Sequence, residues 1–180
     1  MTNTRFFGIR WKWGHIGMSE EKILSFDGDE LQKYEPNRYP FLFIDRVTEC
    51  VPGKYAKGYK NLTNNEWFFP KHYPGHPIMP AAVQTEALSQ MVTIAFTTMD
   101  GIDDINVEGA NWKAKFIKEI RPGDRLDIVA KVISYKRGVG KGVAKGYVDG
   151  ELACEVEVTL VIPSVFYQYR PKRVEKNAER

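Results

Sequence analysis

Cysteine is scarce: the chain has two, Cys50 and Cys154, far apart and without a C-x-x-C spacing. Neither a disulfide framework nor a cysteine-held zinc is implied, and reduced thiols in the cytoplasm are the expectation. Long apolar runs are missing as well. Nothing reaches the roughly 7–15 residues of a signal-peptide core or the roughly 20 of a membrane-spanning helix, so neither secretion nor a membrane span is expected. Histidine is rare, with three residues. His72 and His76 lie at i, i+4, but Pro74 and Pro77 break the helix that would align them and no third ligand is evident. No metal site and no cofactor are therefore expected. An excess of one charge sign is lacking too: 26 Lys and Arg against 23 Asp and Glu leave a net +3, interspersed along most of the chain. Nucleic-acid binding would want basic residues clustered on one face, and is not expected.

What is present suits a soluble globular protein, 43% hydrophobic and 27% charged over 180 residues. That length fits one domain, which on folding can bury roughly 70% of the surface its unfolded chain exposes. Residues 1–30 read as an N-terminal arm carrying an aromatic and basic patch, Arg5 to Trp13. Residues 31–165 read as the core domain, and 166–180 as a basic C-terminal tail. Within the core, Phe41 to Val47 has the β-branched and aromatic content of a strand, and Lys54 to Leu62 of a second. Pro70, Pro74, Pro77 and Pro80 hold Asn64 to Pro80 as a shaped loop. Ala81 to Met99 then has no Pro or Gly and is apolar in nearly every direction of a helical projection, the mark of a buried helix. Strands are expected over Asn106–Lys118, Arg125–Tyr135, Gly140–Val148 and Glu151–Ile162. Leu126, Ile128, Ala130 and Val132 alternate, as do Leu152, Cys154, Val156, Val158 and Leu160, and Asp149-Gly150 signals a hairpin. The fold class is α+β, an antiparallel sheet wrapped around one long helix.

Chemistry concentrates where the loop meets that helix. His72 stands on the loop and Glu86 about two turns into the helix, among Ala82, Val83, Ser89 and Gln90, where enclosure is expected to favour the neutral carboxyl. Eliminating water across C2 and C3 of a 3-hydroxyacyl thioester needs a base, an acid for the departing hydroxyl and donors for the developing enolate oxygen. Histidine suits the base and a protonated Glu86 the acid. The first-turn N–H groups of Ala81 and Ala82 are unpaired donors with a favourable dipole, and Gln90, one turn after Glu86, is placed to orient its carboxyl. A loop histidine beside a Pro-Gly turn is more often structural than catalytic on residue type alone, which leaves both readings open at this point.

Several separated motifs lie in register: Arg38-Tyr39-Pro40-Phe41-Leu42-Phe43-Ile44-Asp45-Arg46-Val47, Asn64-Asn65-Glu66-Trp67-Phe68-Phe69, His72-Tyr73-Pro74-Gly75-His76-Pro77-Ile78-Met79-Pro80, Glu86-Ala87-Leu88-Ser89-Gln90 and Arg121-Pro122-Gly123-Asp124. Over roughly residues 34 to 162 the chain resembles the FabZ-type β-hydroxyacyl-acyl-carrier-protein dehydratases. The resemblance implies a hot-dog fold, a curved antiparallel sheet around a central helix. It puts the catalytic histidine on His72 and the catalytic glutamate on Glu86, meeting across a dimer interface, with Tyr73, Gly75 and Gln90 in support. It also implies dimers assembling to a hexamer, no cofactor, and a substrate carried on the phosphopantetheine arm of an acidic acyl carrier protein, for which Lys115, Lys118 or Arg121 offer positive charge. Glutamate rather than aspartate at 86 implies dehydration without double-bond isomerisation.

The chain departs from that family at the helix start, where Pro-Gly-Val-Leu becomes Pro80-Ala81-Ala82-Val83, and where Gln84 and Thr85 replace usually apolar residues. The departures fit a dehydratase specialised for an unusual acyl chain, or a weakly active diverged member. Two rivals stay open: a hot-dog acyl thioesterase, and a non-catalytic acyl-carrier or lipid-binding module.

Overall fold

The structure, a computed structural model, describes residues 22–169. The Arg5 to Trp13 patch and most of the basic tail lie outside the described residues. The elements in chain order are β1 (Leu24–Phe26), α1 (Gly28–Leu31), β2 (Arg46–Val51), β3 (Tyr55–Asn61), α2 (Ala81–Thr97), β4 (Glu108–Phe116), β5 (Arg125–Lys136), β6 (Val139–Val148), β7 (Glu151–Val161) and α3 (Pro163–Phe166), closed by a 3₁₀ turn at Tyr167–Tyr169. The strands form one antiparallel sheet of seven in the order β1-β2-β3-β5-β6-β7-β4.

Asp149 and Gly150 have φ of 52° and 80°, the paired positive angles that make a two-residue turn follow the twist of its strands. Arg137 and Gly138 repeat them between β5 and β6, at 52° and 79°. The sheet curves around α2, which packs on β3, β5, β6 and β7. Room for that approach comes from β6, whose inward positions 140, 142 and 146 are glycine. A Cβ at Gly140 would stand 2.6 Å from the Phe96 ring, at Gly142 2.4 Å from Val92 Cγ1 and at Gly146 3.3 Å from Leu88 Cδ1. Leu88, Val92 and Phe96 are successive turns of α2, so the glycines let one helical ridge lie directly on the strand.

From Ala87 to Thr97 every residue of α2 is buried, whereas Ala81 and Ala82 are exposed and Thr85 and Glu86 half-buried. The helix is thus enclosed over its last three turns and opens at its start.

Two expectations need correction. The strand expected at Phe41–Val47 begins only at Arg46. Phe43 and Ile44 are buried as a strand would bury them, but the Phe43 N–H is donated to Gln90 Oε1 at 2.9 Å instead of to a strand. Conversely, part of the stretch read as an arm belongs to the sheet: Leu24–Phe26 pairs with β2. The short α1 follows it, with Asp27 accepting from Asp29 N–H and Glu30 N–H at 3.1 and 3.0 Å and Glu30 accepting from Asp27 N–H at 3.4 Å. Among the described residues no helix is long and apolar enough to cross a membrane, and no cluster of His, Cys, Asp and Glu could hold a metal.

Candidate active site

The loop before α2 is tied down from several directions. Phe68, Phe69 and Met79 are buried, and the Met79 N–H donates to Ile120 O at 2.8 Å. Lys60, on β3, reaches Asp45 and Glu66 at 2.9 Å each, and Asp45 also accepts the Asn61 N–H at 2.6 Å. Burial alone would lower the Lys60 pKa, but the Glu66 and Asp45 carboxylates outweigh it and hold the ammonium charged. Glu66 thereby fixes the start of the loop to the sheet.

His72 is half-buried and held at both ends. Its N–H donates to Phe68 O at 3.0 Å, and its carbonyl accepts from Ile78 N–H at 2.9 Å. Nδ1 lies 3.1 Å from Ile78 O. A carbonyl can only accept, so Nδ1 carries the hydrogen and Nε2 of the neutral ring keeps its lone pair. The Tyr73 ring stacks on the imidazole with centroids 4.2 Å apart. Gly75, with φ of 79°, occupies the left-handed region at the tip of the turn closed by Tyr73 and His76. His76 points elsewhere, its Nε2 3.0 Å from Glu119 on the surface.

At the helix start, Pro80 is the N-cap and offers no side-chain cap. First-turn N–H groups have no acceptor inside a helix, which leaves those of Ala81 and Ala82 directed at solvent. Gln84 folds back, donating to Met79 O at 2.9 Å, and Thr85 donates to Ala81 O at 2.9 Å.

Glu86 is half-buried rather than enclosed, contrary to expectation. Gln90 donates to its Oε1 at 2.9 Å and to Phe41 O at 2.6 Å while accepting from Phe43 N–H, so one amide joins α2 to the segment before β2 and orients the carboxyl. The enclosed carboxyl is Glu35, which sequence reasoning missed. It is 1% exposed and shares with Glu86 a pocket of about 60 Å³, lined also by Asn37, Ser89, Thr93 and Trp112. Desolvation pushes Glu35 up from 4.5 to about 7, against the opposing pull of hydrogen bonds from Asn37.

His72 does not line that pocket, and no hydrogen bond among the described residues joins it to Glu86. Within one chain, the two groups are presented separately. Lys115 and Arg121 are exposed and Lys118 half-buried, but each pairs with a carboxylate, Lys115 with Glu155 at 2.8 Å, Lys118 with Glu151 at 2.6 Å and Arg121 with Glu119 at 2.6 Å.

A curved seven-stranded antiparallel sheet holding one long helix, with a tethered histidine loop at the helix start, defines the hot-dog class. A solved structure of the dehydratase heterocomplex ApeI:P from Xenorhabdus doucetiae has a chain of the same fold, with a TM-score of 0.64 at 12% identity over 77% of this chain and 95% of that one. A FabA-like domain model matches residues 35–157, and the chain belongs to that family. Its curated relatives include 3-hydroxyacyl-[acyl-carrier-protein] dehydratases FabZ. The protein of Clostridium novyi is 44% identical across 74% of this chain and 94% of its own length. That of Bacillus subtilis is 38% identical across 76% and 97%, and one from Clostridium botulinum 45% across 79% and 98%.

Proposed function

We propose that this protein dehydrates 3-hydroxyacyl thioesters of an acyl carrier protein to trans-2-enoyl thioesters, with His72 as base and Glu86 as acid. The observation that carries the assignment is the His72 Nδ1–Ile78 O hydrogen bond, which reserves Nε2 as the acceptor. In the reaction Nε2 takes the C2 proton and the freed electron pair forms the C2–C3 double bond. The C3–O bond breaks, and the hydroxyl leaves as water with the proton of Glu86. The Ala81 and Ala82 N–H groups, at the positive end of α2, receive the charge that develops on the thioester oxygen. Gln90 holds the Glu86 carboxyl in one orientation, and Tyr73 and Gly75 hold the ring and its turn.

Two copies of the chain complete each site in this reading, His72 of one approaching Glu86 of the other, with such dimers assembling to a hexamer. Support comes from β4, a nine-residue strand exposed along nearly its whole length at one edge of the sheet, whose Gly109 and Trp112 also line the Glu86 pocket. The substrate arrives on a phosphopantetheine arm, in the cytoplasm. Since Lys115, Lys118 and Arg121 are ion-paired, carrier docking depends less on their charge than the sequence suggests.

The test follows the absorbance of the conjugated enoyl thioester when purified protein meets 3-hydroxyacyl or trans-2-enoyl substrates. Reversible interconversion is expected, and His72→Ala and Glu86→Gln should each abolish it. Thioester hydrolysis without enoyl formation, or no turnover from a folded protein, would sink the assignment.

A further inference from the structure

Glu35 is an expensive residue for a fold to carry. Its side chain is enclosed, Oε1 accepts from Asn37 N–H at 3.0 Å and from Asn37 Nδ2 at 2.7 Å, and Oε2 is buried with no hydrogen-bond partner. Arg38, three residues on, spends its guanidinium on the carbonyls of Glu35, Asn37 and Gln32 at 2.7, 2.9 and 3.0 Å. A leucine of similar reach would fill the position without an orphaned oxygen. Glu35 is among the residues that line the pocket shared with Glu86, and Oε2 itself has almost no accessible surface.

The pocket itself is mostly polar. Asn37, Ser89 and Thr93 stand beside the two carboxyls, with Pro36, Val107 and Leu160 as the apolar part of the wall, and the Trp112 indole N–H turns to Ser89 Oγ at 3.1 Å. Ser89 in turn donates to Thr85 O at 2.8 Å, so the hydroxyl and the indole are already satisfied and Glu35 Oε2 is left over. A volume of about 60 Å³ exceeds the roughly 10–15 Å³ that one water needs. It admits a small polar substituent, and an alkyl segment placed there would leave a buried carboxyl oxygen unpaired.

We infer that Glu35 is a specificity-determining residue, selecting 3-hydroxyacyl thioesters that carry a further hydroxyl or comparable polar group at C4 or C5 over those with a plain alkyl chain. The inference rests on the dehydratase reading, because Glu86 at C3 is what places the next carbons of the chain beside Glu35. A carboxyl that burial pushes to about 7 is neutral or charged near physiological pH, and in both forms it can accept from a hydroxyl.

The experiment compares 3-hydroxyhexanoyl, 3,4-dihydroxyhexanoyl and 3,5-dihydroxyhexanoyl pantetheine thioesters on the wild-type protein, Glu35→Gln and Glu35→Leu. Each is measured for kcat/KM and, by calorimetry, for Kd. The wild type is expected to favour one dihydroxy substrate by at least about tenfold, within the roughly 10⁴–10⁵ that a site built to hydrogen-bond a hydroxyl can reach. Glu35→Gln should keep part of that preference, and Glu35→Leu should reverse it toward the alkyl chain while raising Tm. Equal kcat/KM and Kd for all three on the wild type, or a preference that survives Glu35→Leu, overturns the inference. Absence of turnover on every thioester condemns the dehydratase reading instead, and the Kd values alone then decide the preference.

Discussion

Glu35 and Gln90 are both enclosed polar side chains beside Glu86, and they respond oppositely to removal. The folded protein holds a proton on Glu35 up to about 7, whereas an unfolded chain releases it near 4.5. Between those values the folded state binds more protons, so this group's contribution is fully present below about 4.5 and is lost as pH rises toward 7. The loss is on the order of 3 kcal/mol at about 1.4 kcal/mol per pH unit. Urea unfolding of wild type and Glu35→Gln from pH 4.5 to 8 checks this. The difference in stability between them should swing toward the variant by roughly that amount as pH rises, and a constant difference would contradict it. Gln90→Leu acts the other way, since it strands the Phe43 N–H and the Phe41 carbonyl and frees the Glu86 carboxyl. Leaving the buried Phe43 N–H unpaired should cost about 1–3 kcal/mol, while the Phe41 carbonyl, on an exposed residue, can turn to water. Turnover should fall through kcat more than KM, because binding contacts remain while the acid is no longer oriented; denaturation curves and steady-state kinetics read the two effects separately. His72 and Glu86 can be proposed from sequence because their motifs are local in it. Glu35 cannot, because its enclosure comes from α2, β4 and β7 converging from distant parts of the chain.

At the scale of elements, α2 and β6 depend on each other through the three glycines beneath Leu88, Val92 and Phe96. Gly142→Val forces its side chain into Val92 Cγ1 and against the Lys131 carbonyl, which lies 3.0 Å from the added Cβ. Backbone on one side and a packed helix on the other leave little room to yield, and overpacking of this kind costs about 1–3 kcal/mol or more. A fall in Tm of several degrees is expected for a domain of this size, while Lys141→Val, exposed on the other face of β6, should leave Tm nearly unchanged. The alternation that makes β5 and β7 readable is written in large apolar side chains. In β6 the same inward positions are Gly, Gly, Ala, Gly and Val, a strand recognisable mainly by its turns. Phe41 to Asp45 misleads for the converse reason: it has strand composition, but Gln90 takes the backbone hydrogen bond a neighbouring strand would need. The Asp27 to Glu30 capping box was a readable signal for α1, while three-residue β1 is too short for any periodicity to register.

Across the whole molecule the sheet has two unequal edges. One is β1, three residues long; the other is β4, nine residues long with Trp112 and Phe116 exposed. A long strand with unpaired backbone groups and aromatic side chains invites another strand, and in the dimer proposed above a second copy of the chain would meet it symmetrically, each β4 beside the other. Such a pairing would run past the Glu86 pocket, since Gly109 and Trp112 belong both to β4 and to the pocket wall. It also gives a reason why His72 and Glu86 are presented separately within one chain, if each site draws one group from each copy. Mixing His72→Ala with Glu86→Gln tests this directly. Each variant alone has no intact site, but a mixed dimer has one, built from Glu86 of the first variant and His72 of the second. After co-refolding equal amounts, half of the dimers are mixed by random assortment, and enoyl formation should return to about a quarter of the wild-type rate. Activity no higher than that of the separate variants would mean that each chain builds its site alone, and the role of β4 would have to be sought elsewhere.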